Sequence, residues 1–228
     1  MVAQHMRFEN ENEKLKEIAD SGRLGRIYVA NTCLLRRRGI PGWGKFHIKK
    51  ESLGGPLIDI GVHMMDLIVW LMGSPKPIAA SGKVFRMFGD RPDLFNAAWA
   101  ADYPRDEFDV EDYAVGFVRF QNDIVLTIEV SWAANVPQDR VALTVLGDKA
   151  GLSKAPLGVY GYEDNSLTST QFDWLPKENP YRKEIRHFLD SVESGAPVRV
   201  RPEESLSIQK IIDAIYESSK KNKEVIIR

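Results

Sequence analysis

A single cysteine, Cys33, occurs in the 228 residues. An intrachain disulfide is therefore impossible, and zinc sites built from several cysteines are excluded. A reducing cytoplasm fits this composition. Neither sign of charge is in excess: 31 Lys and Arg stand against 32 Asp and Glu, a formal net charge of -1. Such a balance gives no global attraction to nucleic acid or to an anionic membrane. The one basic cluster, Arg36-Arg37-Arg38, is open to two readings, a solvated strand end or a phosphate contact. Long hydrophobic runs are missing too. Leu67–Met72 is far short of a membrane span, and the opening MVAQHMRFEN has no hydrophobic signal core. The expectation is a soluble intracellular protein without repeats or low-complexity tracts.

What is present reads as one α+β domain over residues 1–228. Val2–Phe8 reads as a strand. Leu15, Ile18 and Ala19 share a helical face that stops at Gly22. Arg26–Leu35 reads as a strand, and 38–55 as a long loop with five glycines. A single helix is expected over Pro56–Met72, with proline in its first turn and Gly73 beyond its end. Ile78–Phe88 looks extended, and 89–109 irregular. Val110–Phe120 and Ile124–Trp132 form a hairpin about a Gln-Asn-Asp turn. Strands follow at Arg140–Leu146, Val159–Tyr162 and Leu167–Trp174, with a turn at GDKAG. Two helices come next, one marked by Tyr181, Ile185, Phe188, Leu189 and Val192, the other by Leu206 through Tyr216; KEVIIR adds a small strand. Consecutive strands joined by short turns, with grouped helices, predict a largely antiparallel sheet.

The stretch LGGPLIDIGVHMMD at 53–66 carries the chemistry. On a helical wheel Asp59, His63, Asp66 and Trp70 fall within an arc of roughly 60° at about 100° per residue. The rest of the circumference is apolar apart from Gly61. Asp59 and His63 lie one turn apart, about 6 Å along the axis. The carboxylate favours imidazolium and the helix N-terminus favours neutral imidazole. That competition suits a group which takes up and returns a proton. The same spacing is open to a purely structural His–Asp contact, and to a metal face of Asp59, His63 and Asp66 with His47 as the nearest supplement. Gly54 and Gly55 allow close approach to the helix start.

GGPLIDIGVHMMDLIVWLMGSPKP resembles the G-G-x-x-x-D-x-x-x-H-x-x-D signature of the Gfo/Idh/MocA family of nicotinamide-dependent oxidoreductases. SGRLGRIYVAN, FDVEDYAVGFVRFQND with IVLTIEVSWAAN, and HFLDSVESGAPVRVRPEESLSIQKIIDAIYESSKKNKEVII are similar to later parts of its second domain, in the same order. The resemblance covers almost the whole chain. It implies a C-terminal, glyceraldehyde-3-phosphate-dehydrogenase-like domain: an open, mostly antiparallel sheet with helices on one face. The open face would carry a homo-oligomer interface. By the same resemblance His63 would exchange the substrate hydroxyl proton and Asp59 would orient it or bind the substrate. Asp66 would be structural. Trp43 matches an aromatic near the cofactor or substrate. The substrate would be a sugar, inositol or related polyol, the cofactor NAD or NADP.

The chain also departs from the family pattern. Neither G-x-G-x-x-G nor E-K-P occurs; the glycines of GIPGWG have another order, and the only Lys-Pro is Lys76-Pro77. The nucleotide-binding domain is therefore expected to be missing, and the chain to bind no dinucleotide tightly and to show no turnover alone. A scaffold module that kept the fold without the chemistry, and a metal-dependent hydrolase using Asp59, His63 and Asp66, are the competing readings.

Overall fold

A computed structural model describes residues 1–228. The helices are α1 (Asn10–Asp20), α2 (Lys49–Ser52), α3 (Pro56–Asp59), α4 (Gly61–Leu71), α5 (Pro180–Ser194) and α6 (Pro202–Lys221). The strands are β1 (Ile27–Leu35), β2 (Pro77–Phe85), β3 (Tyr113–Phe120), β4 (Val125–Ser131), β5 (Arg140–Gly147), β6 (Ala150–Lys154), β7 (Leu157–Glu163), β8 (Ser166–Gln171) and β9 (Val225–Ile226).

All nine strands form one sheet in the order β8-β7-β6-β5-β1-β4-β3-β2-β9. Every pairing is antiparallel except β1 with β4. This parallel pair lies at the centre of the sheet, where antiparallel neighbours β5 and β3 hydrogen-bond to its outer edges. Period-two alternation sets the faces. Leu126, Ile128 and Val130 of β4 are buried under the helices, while Val125, Thr127 and Glu129 turn the other way. Helices α4 and α6 cover the first face. Small residues on β2 and β3 let α6 come close: a Cβ at Gly82 or Gly116 would meet Ile215 at 2.7 Å. Helix α6 also closes the edge of β2. Ser218 Oγ accepts from Gly82 N–H, and Ser219 Oγ from Val84 N–H.

Three segments differ from the sequence-based expectation. Val2–Phe8 is no strand; His5–Phe8 form a 3-10 turn, because Arg7 and Phe8 both turn inward and no strand lies alongside. The helix expected over Pro56–Met72 breaks at Ile60, where Lys49–Asp59 and α4 meet at 42°. The five-residue strand β6 lies within and beyond the segment read as a turn. Helix α5 begins as its sequence demands, with Asn179 capping the Arg182 N–H and Pro180 in the first turn, and stops at Gly195 with φ 71°. Its apolar stripe is not core. Tyr181, Ile185, Phe188, Leu189 and Val192 are all exposed, and only Glu184 and Ser191 are buried. No single helix is long and apolar enough to cross a membrane.

Candidate active site

The glycine pair ahead of α3 has a local cause. A Cβ at Gly55 would stand 1.9 Å from the Glu111 carbonyl oxygen, and one at Gly54 would stand 2.1 Å from the Tyr216 hydroxyl. Glu111 Oε1 then accepts from Leu57 N–H (3.2 Å) and from Tyr216 Oη–H (2.7 Å). The close approach expected at this turn is thus made by the protein itself. Burial pushes the Glu111 carboxyl up, and these donors oppose that. Burial pushes the Tyr216 hydroxyl strongly up as well.

Asp59 ends α3 and His63 lies in the first turn of α4, so the bend at Ile60 sets their separation. Both are partly exposed. They share no hydrogen bond. Instead, Asp59 Oδ2 accepts from the indole N–H of the buried Trp132 at 2.9 Å. His63 Nδ1 lies 2.9 Å from Gln4 Oε1. An amide oxygen only accepts, so Nδ1 carries the proton and Nε2 keeps a lone pair. Gln4 is fixed in turn: its backbone N–H donates to Glu184 Oε1 at 2.6 Å. Burial pushes the His63 imidazole below the usual histidine range, His5 adds to this, and the Asp59 carboxylate pulls the other way. His5 meets the His63 ring edge-on at 5.2 Å and stacks on Tyr181 at 4.7 Å.

Asp66 does not share this surface. It is fully buried and receives a two-pronged contact from Arg7, Nε to Oδ2 and Nη2 to Oδ1, each at 2.7 Å. Burial pushes the Asp66 carboxyl up, and the guanidinium opposes it with a matched two-pronged geometry. Arg7 also donates to Glu204, whose carboxyl, although burial raises it, is held down to about 2 by Arg201 and Arg7. The metal face is corrected accordingly: Asp66 is committed to Arg7, and His47 packs against the Tyr103 ring at 5.5 Å. No group of three His, Cys, Asp or Glu side chains converges on one point.

Trp43 stands 47% exposed in its loop, its ring 6.4 Å from both Phe46 and Trp99. Phe46 leads on to Trp132 at 6.5 Å, so an aromatic row runs from Trp43 to the side chain that holds Asp59. Arg36 is half-buried near the same carboxylate; burial pushes its guanidinium down, and Asp59 and Asp139 oppose that. Gln4, Arg7, Arg36, Glu111, Trp132 and Tyr216 escaped the sequence reading as parts of this site. Of these, only Arg36, in the basic cluster, and Trp132, at the end of an alternating hairpin strand, carried any local signal.

A concavity of about 810 Å³ lies elsewhere. It lies on the open face of the sheet, bordered by Asn31, Cys33, Lys83, Phe117, Glu129 and Arg140. There is no G-x-G-x-x-G, and the glycine-led start of α3 is filled by the Glu111 carboxylate, which would repel the pyrophosphate of a dinucleotide.

Comparison with known proteins agrees with this architecture. Residues 16–227 match the model of the oxidoreductase family, C-terminal alpha/beta domain. The D-glucoside 3-dehydrogenase of Escherichia coli (strain K12) is 31% identical over 217 residues, covering 94% of this chain and 61% of that protein. The scyllo-inositol 2-dehydrogenase (NADP(+)) of Bacillus subtilis (strain 168) is 23% identical over 250 residues, covering 99% of this chain and 64% of that one. The structure of levoglucosan dehydrogenase in complex with NADH and levoglucosan superposes with a TM-score of 0.78 at 19% identity, over 100% of this chain and 66% of that one. The chain thus spans less than two thirds of the relatives it matches. By the motif at 54–66, the mixed sheet and the match over residues 16–227, it belongs to the Gfo/Idh/MocA family of oxidoreductases, in the C-terminal α/β domain.

Proposed function

We propose that this chain is the substrate-binding half of an NAD(P)-dependent oxidoreductase acting on a hydroxyl or carbonyl group of a sugar, inositol or related polyol. The observation that carries the reading is the state of His63. Its Nδ1 proton is held by Gln4, its Nε2 lone pair has no protein partner, and burial favours the neutral ring. Such an imidazole accepts the proton of a substrate hydroxyl and returns it in the reverse direction. Asp59 stabilises the imidazolium as it forms, while Trp132 fixes one of its oxygens. The names of the E. coli and B. subtilis relatives, a glucoside and an inositol dehydrogenase, support the substrate class. Trp43 offers an exposed ring at the far end of the aromatic row that leads to Trp132.

When bound, the nicotinamide supplies the hydride acceptor, and it belongs to a separate dinucleotide-binding domain. The exposed stripe Tyr181, Ile185, Leu189 and Val192 on α5 suits the docking of that domain, because Tyr181 stacks on His5 beside His63. A domain seated there would also shelter His63 from water. The open sheet face, with its 810 Å³ basin, suits a second copy of the chain in a homo-oligomer. The buried free thiol of Cys33 accords with the cytoplasm.

The experiment joins the chain to the dinucleotide-binding domain of the E. coli relative and measures turnover with glucosides and inositols. Activity that falls at least a hundredfold in His63→Asn supports the reading. Full activity of that variant, or robust dehydrogenase turnover by the 228 residues alone, overturns it.

A further inference from the structure

Trp99 meets two groups of side chains. The Arg36 guanidinium lies 5.2 Å from its ring centroid, within the field of Asp59. Trp99, Phe95 and Ala97 also line, with Arg37, Arg38 and Asp139, a groove of about 420 Å³. Both rings are open to water, Trp99 at 56% and Phe95 at 73% exposure. Large aromatics gain free energy on burial, so two of them lining one open groove need a reason.

Slack in the loop is not that reason. Asn96, between the two rings, donates to the carbonyls of Ile40 and Ala101 at 2.9 Å and accepts from Ile40 N–H. Gly39 lies under the Trp99 indole, where a Cβ would come within 2.5 Å of the ring. The indole is seated on a fixed support with one face left free.

The guanidinium groups are also set in place without being neutralised. Arg37 Nη1 donates to the Pro137 carbonyl. Arg38 donates to the carbonyls of Arg37 and Ala134 and to Asn135 Oδ1. None of these acceptors is charged. Asp139, the one carboxylate in the groove, accepts from the Arg37 backbone N–H. Positive charge oriented by neutral acceptors, beside free aromatic faces, is the arrangement that receives oxygen anions carried on a ring.

We propose that this groove, joined to Arg36 through the Trp99 ring, is a subsite that takes a phosphate or carboxylate substituent on a sugar or glycoside, with Trp99 carrying the sugar ring. The proposal rests on the sugar-oxidoreductase reading and narrows its substrate class to anionic sugars.

The test is calorimetric titration of the 228-residue protein with methyl glucoside, methyl glucuronide and glucose 6-phosphate, at low salt and at roughly 0.5 M salt, where exposed charges are screened. At low salt one of the anionic ligands binds at least tenfold more tightly than the neutral glucoside; which one it is tells carboxylate from phosphate. High salt and the double variant Arg37→Gln/Arg38→Gln both erase the advantage. Trp99→Leu weakens binding tenfold or more, with its melting transition checked by circular dichroism. Equal affinity for all three sugars, absence of binding, or an anionic preference that survives in the double variant overturns the proposal. The titration and the turnover test of His63 read different events, so the subsite and the acid–base assignment fall separately.

Discussion

The indole N–H of Trp132 donates to Asp59 Oδ2 at 2.9 Å, from a side chain with no exposed surface. A core residue at the end of a central strand thereby fixes the partly exposed carboxylate of Asp59. Trp132→Phe keeps most of the packing and removes the donor. A hydrogen bond to a charged group contributes about 1.5–3 kcal/mol. Turnover of the completed enzyme should therefore fall about tenfold or more, while the urea midpoint moves far less than for Trp132→Ala.

The titration of His63 gives a second expectation, with a definite sign. Its folded-state pKa lies below the ordinary value of 6.5 because of burial and His5. The neutral, proton-accepting form therefore persists below pH 6.5, and the acidic limb of kcat/KM for substrate oxidation falls below that value. The same shift makes a contribution to stability that is complete above pH 6.5 and lost as pH falls through the lowered value. Asp59→Asn removes the one opposing influence and moves the acidic limb further down. A limb that rises instead would contradict the assignment.

Arg7 and Asp66 form the most deeply buried ion pair of the domain, at 1% and 0% exposure. Asp66→Leu leaves the buried guanidinium with Glu204 as its one carboxylate and should cost about 3 kcal/mol, the low end for breaking a buried pair. The double change Arg7→Met/Asp66→Leu should cost clearly less than the sum of the two single changes. Urea unfolding of the four proteins provides the cycle.

Acid should weaken the chain through Glu204. Its carboxyl is held at about 2 in the fold, against an ordinary 4.5. The resulting stability is present above pH 4.5 and is lost as pH falls toward 2. Glu204→Gln should be less stable at pH 7 and show a flatter decline between pH 4.5 and 2, measured by urea midpoints at each pH.

Much of this could be read from the chain, and the rest could not, for reasons of range. Both C-terminal helices were visible because their apolar residues repeat at helical spacing, and Gly195 marks where the first one stops. The β3–β4 hairpin was visible because alternation and a polar turn suffice. Strand β6 was missed because five residues of AGLSK carry no period and take their form from β5 and β7. The parallel pairing of β1 with β4 joins segments almost a hundred residues apart and leaves no local mark. The Asp-x-x-x-His spacing was legible, but its supports were not. Gln4 lies 59 residues from His63, and Trp132 lies 73 from Asp59. The sequence suggested one rigid rod for 56–72, whereas the bend at Ile60 makes the pair's spacing depend on a hinge.

The two rims of the sheet are not equivalent. Along β2, hydroxyls of α6 occupy backbone donors that another strand would otherwise use. Along β8, the sequence SLTSTQ stands open to solvent with no such seal. A chain that extends this ladder through its backbone therefore meets no helix along β8, where only soft polar side chains stand guard.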